Sequence, residues 1–131
     1  MEITKTRITK GRNSILPKYC GNHFINFEMA IYSLTDQFIK EYSGGYWEFY
    51  SLSNGGFYMA FESDEPVTFE NPDNYFSEGM DAETASIIVN LYVYCLLSFK
   101  YEDAPFGELY HQLRDYALDL PNAGTIMKAI D

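Results

Sequence analysis

The sequence predicts a single α+β domain: a small antiparallel sheet, a hairpin or a three-stranded meander, packed with about four helices. Three observations lead there. An Asn54-Gly55 pair, the strongest short hairpin signal, separates two aromatic runs rich in strand formers. Segments on both sides of these runs repeat apolar residues at three- and four-residue steps, the period of a helix. The chain has 131 residues, 47% hydrophobic and 18% aromatic, which fills one core and is far too aromatic for a disordered chain.

Residues 1–21 are expected to form a basic, flexible arm. Ile3, Ile8, Ile15 and Leu16 are scattered among polar residues, Pro17 opposes helix before it, and Gly21 interrupts the chain. The domain proper is then 22–131. Its first helix, over about 22–42, carries Phe27, Ala30, Ile31, Leu34, Phe38, Ile39 and Tyr42 on one stripe and ends at Ser43-Gly44-Gly45. Strands follow at 46–52 and 57–62. A two-residue turn at Asn54-Gly55 pairs Leu52 with Phe57, Tyr50 with Met59 and Glu48 with Phe61. That register puts Tyr46, Glu48, Tyr50, Leu52, Phe57, Met59 and Phe61 on one face, with Trp47, Phe49, Ser51, Tyr58, Ala60 and Glu62 on the other. Neither face is polar, so the hairpin must be covered on both sides or leave an aromatic patch for a partner.

A third strand is expected at 67–70 and a turn-rich loop at 71–81. Asp81 is a suitable N-cap for a helix reaching about residue 100, apolar nearly all round and therefore central. Pro105 suits the first turn of another helix, whose inward face is Phe106, Leu109, Tyr110, Leu113, Tyr116, Ala117 and Leu120. A last short helix offers Ala123, Ile126, Met127 and Ile130.

Charge narrows the function. The formal net charge is −10, divided unevenly: residues 1–18 hold five bases and one acid, residues 19–131 four bases and eighteen acids. Recognition of nucleic-acid phosphates needs cationic contacts, so direct nucleic-acid binding is not expected. The longest uncharged run, residues 84–99, is too short and too polar for a membrane span, and no secretory signal precedes the domain. A cytoplasmic setting follows, with Cys20 and Cys95 as free thiols. The acids between Glu62 and Asp81 lack the alternating spacing of a calcium loop, and no phosphate-binding glycine motif is present, so neither metal nor cofactor is expected. His23 and His111 are the two histidines. Cys20 lies three residues before His23, and Asp115 shares a helix face with His111, but neither makes a readable nucleophile–base pair.

The stretch Gly44-Gly45-Tyr46-Trp47-Glu48-Phe49-Tyr50-Ser51-Leu52-Ser53-Asn54-Gly55-Gly56-Phe57-Tyr58-Met59 resembles the signature of the ArdB/KlcA-type antirestriction proteins, small acidic proteins of plasmids and other mobile elements. Supporting matches are Tyr-Ser-Gly-Gly at 42–45, Asp81-Ala82-Glu83, His111-Gln112-Leu113-Arg114-Asp115-Tyr116-Ala117 and the Ala129-Ile130-Asp131 ending. The resemblance covers about 22–131. It implies protection of incoming mobile-element DNA from host type I restriction, by contact with a restriction enzyme or an associated DNA-processing protein and without catalysis. The aromatic hairpin and the 111–117 segment make Tyr46, Trp47, Tyr50, Tyr58, His111 and Arg114 the candidate partner contacts. Two alternatives stay open. An acidic body could imitate DNA in the basic channel of a DNA-binding enzyme. A small hydrolase or ligand-binding domain would instead show a deep polar pocket holding a carboxylate with His23 or His111.

Overall fold

The computed structural model describes residues 2–130. The chain runs β1 (Lys5–Arg7), α1 (Arg12–Cys20), a 3-10 turn at Gly21–His23, α2 (Phe24–Phe38), β2 (Trp47–Leu52), β3 (Phe57–Phe61), β4 (Val67–Asn71), β5 (Phe76–Met80), α3 (Ala82–Lys100), α4 (Phe106–Leu118) and α5 (Ala123–Ile130). This is the expected α+β domain, with the four expected helices α2–α5 and one more, α1, ahead of them. β1, β2 and β3 form one antiparallel sheet in that order, and β4 and β5 a separate two-stranded ladder.

α3 is central. Asp81 caps it as expected, its Oδ2 accepting from the Thr84 amide at 3.0 Å. The helix is long and apolar enough to cross a membrane, but about two-thirds of that span is buried inside the fold, which makes it a core helix. Three of its side chains close an edge of the sheet. Tyr94 donates to the Phe57 carbonyl at 2.6 Å, Asn90 brackets the Met59 amide and carbonyl at 3.2 and 2.7 Å, and the Phe61 amide donates to Ser86 at 3.2 Å. The match is geometric: four residues of helix rise about 6 Å, close to two residues of strand. Ser86, Asn90 and Tyr94 therefore line up with alternate residues of β3, satisfying backbone groups that have no neighbouring strand.

The hairpin differs from expectation by one residue. Observed pairs are Trp47 with Phe61, Phe49 with Met59, Tyr50 with Tyr58 and Ser51 with Phe57. The loop has three residues, closed by Leu52 N to Gly56 O at 2.8 Å and Gly55 N to Leu52 O at 3.0 Å. Only Gly55 takes a positive φ, at 93°; Asn54 does not, so the two-residue type I′ turn is not formed. The Asn54 side chain is drawn elsewhere, donating to the Gln112 carbonyl on α4 at 2.9 Å and accepting from the Gly56 amide at 3.1 Å. One face now carries Trp47, Phe49, Ser51, Phe57, Met59 and Phe61, and the other Glu48, Tyr50, Leu52, Tyr58 and Ala60.

Residues 5–20 are not an irregular arm. β1 pairs with β2, Lys5 opposite Leu52 and Arg7 opposite Tyr50, and α1 buries Ile15, Leu16 and Cys20. Pro17 is tolerated inside α1 because both it and Asn13, whose carbonyl loses its partner, face solvent. The third strand of the main sheet is thus β1, while β4 pairs with β5, in the stretch expected to be loop.

Candidate functional site

Segments far apart in sequence converge on the hairpin. At its tip, Asn54 and Gln112 bond reciprocally, the Gln112 Nε2 donating to the Asn54 carbonyl at 3.2 Å. A Cβ on Gly56 would stand 2.9 Å from the Gln112 Cβ, so only glycine permits this approach of α4. Halfway down, the Tyr58 hydroxyl donates to Glu83 Oε2 at 2.8 Å, and the Lys5 ammonium reaches the same oxygen at 2.5 Å. The Tyr58 ring stacks with Tyr50 at 5.1 Å and Tyr116 at 6.0 Å, and Lys5 Nζ lies 4.8 Å from the Tyr50 ring centre. Glu83 sits in the first turn of α3, where the helix dipole favours an anion.

Tyr50 and Glu83 of this cluster line an acidic hollow of about 320 Å³ together with Glu62, Ser63, Asp64 and Asp81. A second hollow of about 340 Å³ shares Asp81 and Glu83 and reaches Tyr116 and Asn122. The groups beneath are held in one protonation state. Burial and the Glu83 charge push the Tyr58 phenol far above its ordinary range. Burial opposes the Lys5 charge, but its hydrogen bond to Glu83 and the carboxylate's charge outweigh this and raise the ammonium above 10.5. Both keep their protons near neutrality, so the cluster is a fixed cation–carboxylate–phenol lock rather than a proton relay. Burial likewise raises the Cys20 thiol to about 12, far from a thiolate. His23 stacks on Tyr101 at 3.9 Å with Asp103 at 3.4 Å, and His111 lies against Tyr110, so the two histidines stand apart from the acidic hollows.

The six expected contact residues part company. Tyr46 is exposed (55%), its ring beneath the Arg12 guanidinium at 4.9 Å. Trp47 is buried, its Nε1 donating to the Tyr42 hydroxyl at 3.1 Å, and Tyr58 has no exposed surface. Both rings pack inside the fold, against Tyr42 and Phe61 for Trp47 and against Tyr50 and Tyr116 for Tyr58. Tyr50 is half-buried; His111 is exposed and Arg114 half-buried, both on α4. The sequence reading missed Lys5, Arg12, Glu83 and Gln112 as working parts. Glu83 and Gln112 lie inside the matched segments, which was the available signal, whereas Lys5 and Arg12 had none.

The aromatic hairpin is thus held between the basic N-terminal strand β1 and the helices α3 and α4, an α+β architecture shared with proteins that act against DNA restriction. A solved structure described for the KlcA and ArdB proteins, as a novel fold with antirestriction activity against type I DNA restriction systems in vivo but not in vitro, matches with a TM-score of 0.90 at 30% identity, over 100% of this chain and 96% of that one. The antirestriction protein family model matches residues 40–131, and the chain belongs to that family. Relatives in Escherichia coli include the antirestriction protein KlcA, 31% identical over 98% of this chain and 94% of its own length. The uncharacterized K12 protein YfjX is 39% identical over 88% and 78%.

Proposed function

We propose that this protein protects incoming, unmodified mobile-element DNA from type I restriction in the host cytoplasm, by contacting a protein and without catalysis. The observation that carries the reading is the 0.90 TM-score to a fold whose members act against type I systems in vivo but not in vitro. Activity that disappears with purified components fits a requirement for a further cellular protein better than simple occupation of the enzyme. The internal engagement of the carboxylates supports contact over charge mimicry. Glu83 is tied to Lys5 and Tyr58, Asp81 to Thr84, and Glu48 to Arg12, which takes three carboxylates out of any free acidic row.

The test is the plating efficiency of unmodified phage on a type I restricting host, with and without the protein. Raised efficiency is expected; none overturns the reading. Two variants separate contact from mimicry. Under contact, Tyr46→Ala lowers protection while Glu62→Gln, Asp64→Asn, Glu65→Gln combined leaves it intact, because rim charges tune association rate more than affinity. Under mimicry the ranking reverses.

A further inference from the structure

We infer that the groove between α4 and α5 docks an acidic, apolar-containing segment of a protein partner, with Arg114 and Lys128 as its charge readers. The inference rests on the protein-contact reading above and supplies the partner's chemistry.

The groove has a volume of about 550 Å³ and is lined by Tyr110, Arg114, Met127, Lys128 and Ile130. Among the described residues its charged lining is cationic, whereas the hollows at Glu62–Asp81, Asp81–Asn122 and Glu41–Glu65 are lined by carboxylates. Within residues 19–131, where eighteen acids face four bases, two of those four bases meet here. Among the described residues neither takes part in an ion pair or hydrogen bond. Lys128 in the last turn of α5 also answers the helix dipole. Arg114 has no such local reason: three and four residues away along α4 lie Tyr110, His111, Ala117 and Leu118, none of them acidic. A half-buried guanidinium left unpaired in so acidic a chain is complementary to a carboxylate from outside.

Tyr110, Met127 and Ile130 give the groove half-buried apolar walls, which suit a side chain rather than a sugar–phosphate backbone. A chain of net charge −10 also repels a polyanion at long range far more than it repels a segment with one or two acids. At the same end of α5, Asn74 donates to the Ala129 carbonyl at 3.0 Å and holds the β4–β5 tip in place. That tip projects Tyr75, 95% exposed and in a left-handed conformation (φ 58°). Arg and Tyr are the residue types that dominate interface energies.

The experiment places a photo-crosslinking benzoylphenylalanine at position 110 of the full chain. Cells carrying a type I system are irradiated, and the crosslinked segment is sequenced by mass spectrometry. The expected product is a segment of another protein containing Asp or Glu beside apolar residues. Its yield should fall roughly tenfold in Arg114→Glu, Lys128→Glu, with the melting temperature unchanged, as expected when close charge pairs are reversed. Phage protection should fall with it. A basic or uncharged segment, a second copy of this chain, a nucleic acid, or no crosslink overturns the inference. So does full protection by the charge-reversed variant. If the wild-type chain gives no protection, the functional reading fails, while the crosslink still decides the groove by itself.

Discussion

Arg12→Ala tests whether the N-terminal segment is part of the domain. The Arg12 guanidinium donates to the Trp47 carbonyl at 2.6 Å, lies 3.4 Å from Glu48 Oε2 and covers the rings of Tyr46 and Phe49 at 4.9 and 4.7 Å. Glu48 is only 7% exposed, so removing the cation strands a carboxylate in the sheet. Breaking a fully buried pair costs about 3–5 kcal/mol; the Arg12 side chain is 29% exposed and the contact long, so roughly half applies, about 2 kcal/mol. Lost ring contacts at a partly exposed site add about 0.5–1 kcal/mol. At about 2.1 cal/mol/K of unfolding entropy per residue, a loss of about 3 kcal/mol lowers the melting temperature by roughly 10 °C. Calorimetry on the wild type, Arg12→Ala, Glu48→Gln and the double variant completes a cycle. The double variant should recover part of the loss, since an amide is less costly to bury than a lone carboxylate. A shift below about 3 °C for Arg12→Ala, or no recovery, would refute this and return residues 1–21 to the status of a flexible arm.

Three further outcomes are expected. Asn90→Leu leaves the Met59 amide and carbonyl unpaired in the core, costing about 3 kcal/mol and speeding hydrogen exchange at Met59, measurable by denaturant titration and NMR. Gly56→Ala forces a Cβ to 2.9 Å from Gln112 and 3.0 Å from Leu52; a loss of about 1–3 kcal/mol is expected, and unchanged stability would show that α4 can retreat. Glu41 accepts from the Thr68 amide at 2.8 Å and its hydroxyl at 2.9 Å, which hold its carboxyl below the ordinary 4.5. A depressed carboxyl contributes stability above its unfolded value and loses it as the pH falls through the folded one. The gap in melting temperature between wild type and Glu41→Gln should therefore close on acidification; a constant gap would sink this account.

Locally encoded features were legible in the sequence. The Asp81 cap, the apolar surround of α3 and the α4 stripe depend on residues within one or two turns, and all are present. What was misread is decided at a distance. The hairpin loop gains a residue because Asn54 bonds to α4, 58 positions away. β1 and α1 are short, with few apolar residues, and are held by pairing with β2 and by the distant contacts of Arg12 and Lys5 with Trp47, Glu48 and Glu83. β5, Phe-Ser-Glu-Gly-Met, is poor in strand formers and takes its conformation from β4. Nothing local to Ser86 and Asn90 reveals that they face the free edge of β3. Among the expected contact residues, alternation along one strand could not tell that Trp47 and Tyr58 are enclosed while Tyr46 stays exposed.

The closure of β3 by side chains has a consequence for synthesis on the ribosome. A strand edge normally waits for another strand; this one waits for a helix, and Asn90 follows Met59 by 31 residues. Asn90 leaves the ribosome 31 residues after Met59, so at about 5–20 residues per second the emerged hairpin spends roughly 2–6 s with the Met59 peptide group bare. During that interval the nascent chain displays an aromatic ribbon with an open edge, the form of polypeptide most prone to pair with a neighbour on the same message. Slowing translation after Met59 has emerged and before Asn90 has should therefore lower the soluble yield without changing a single residue of the product.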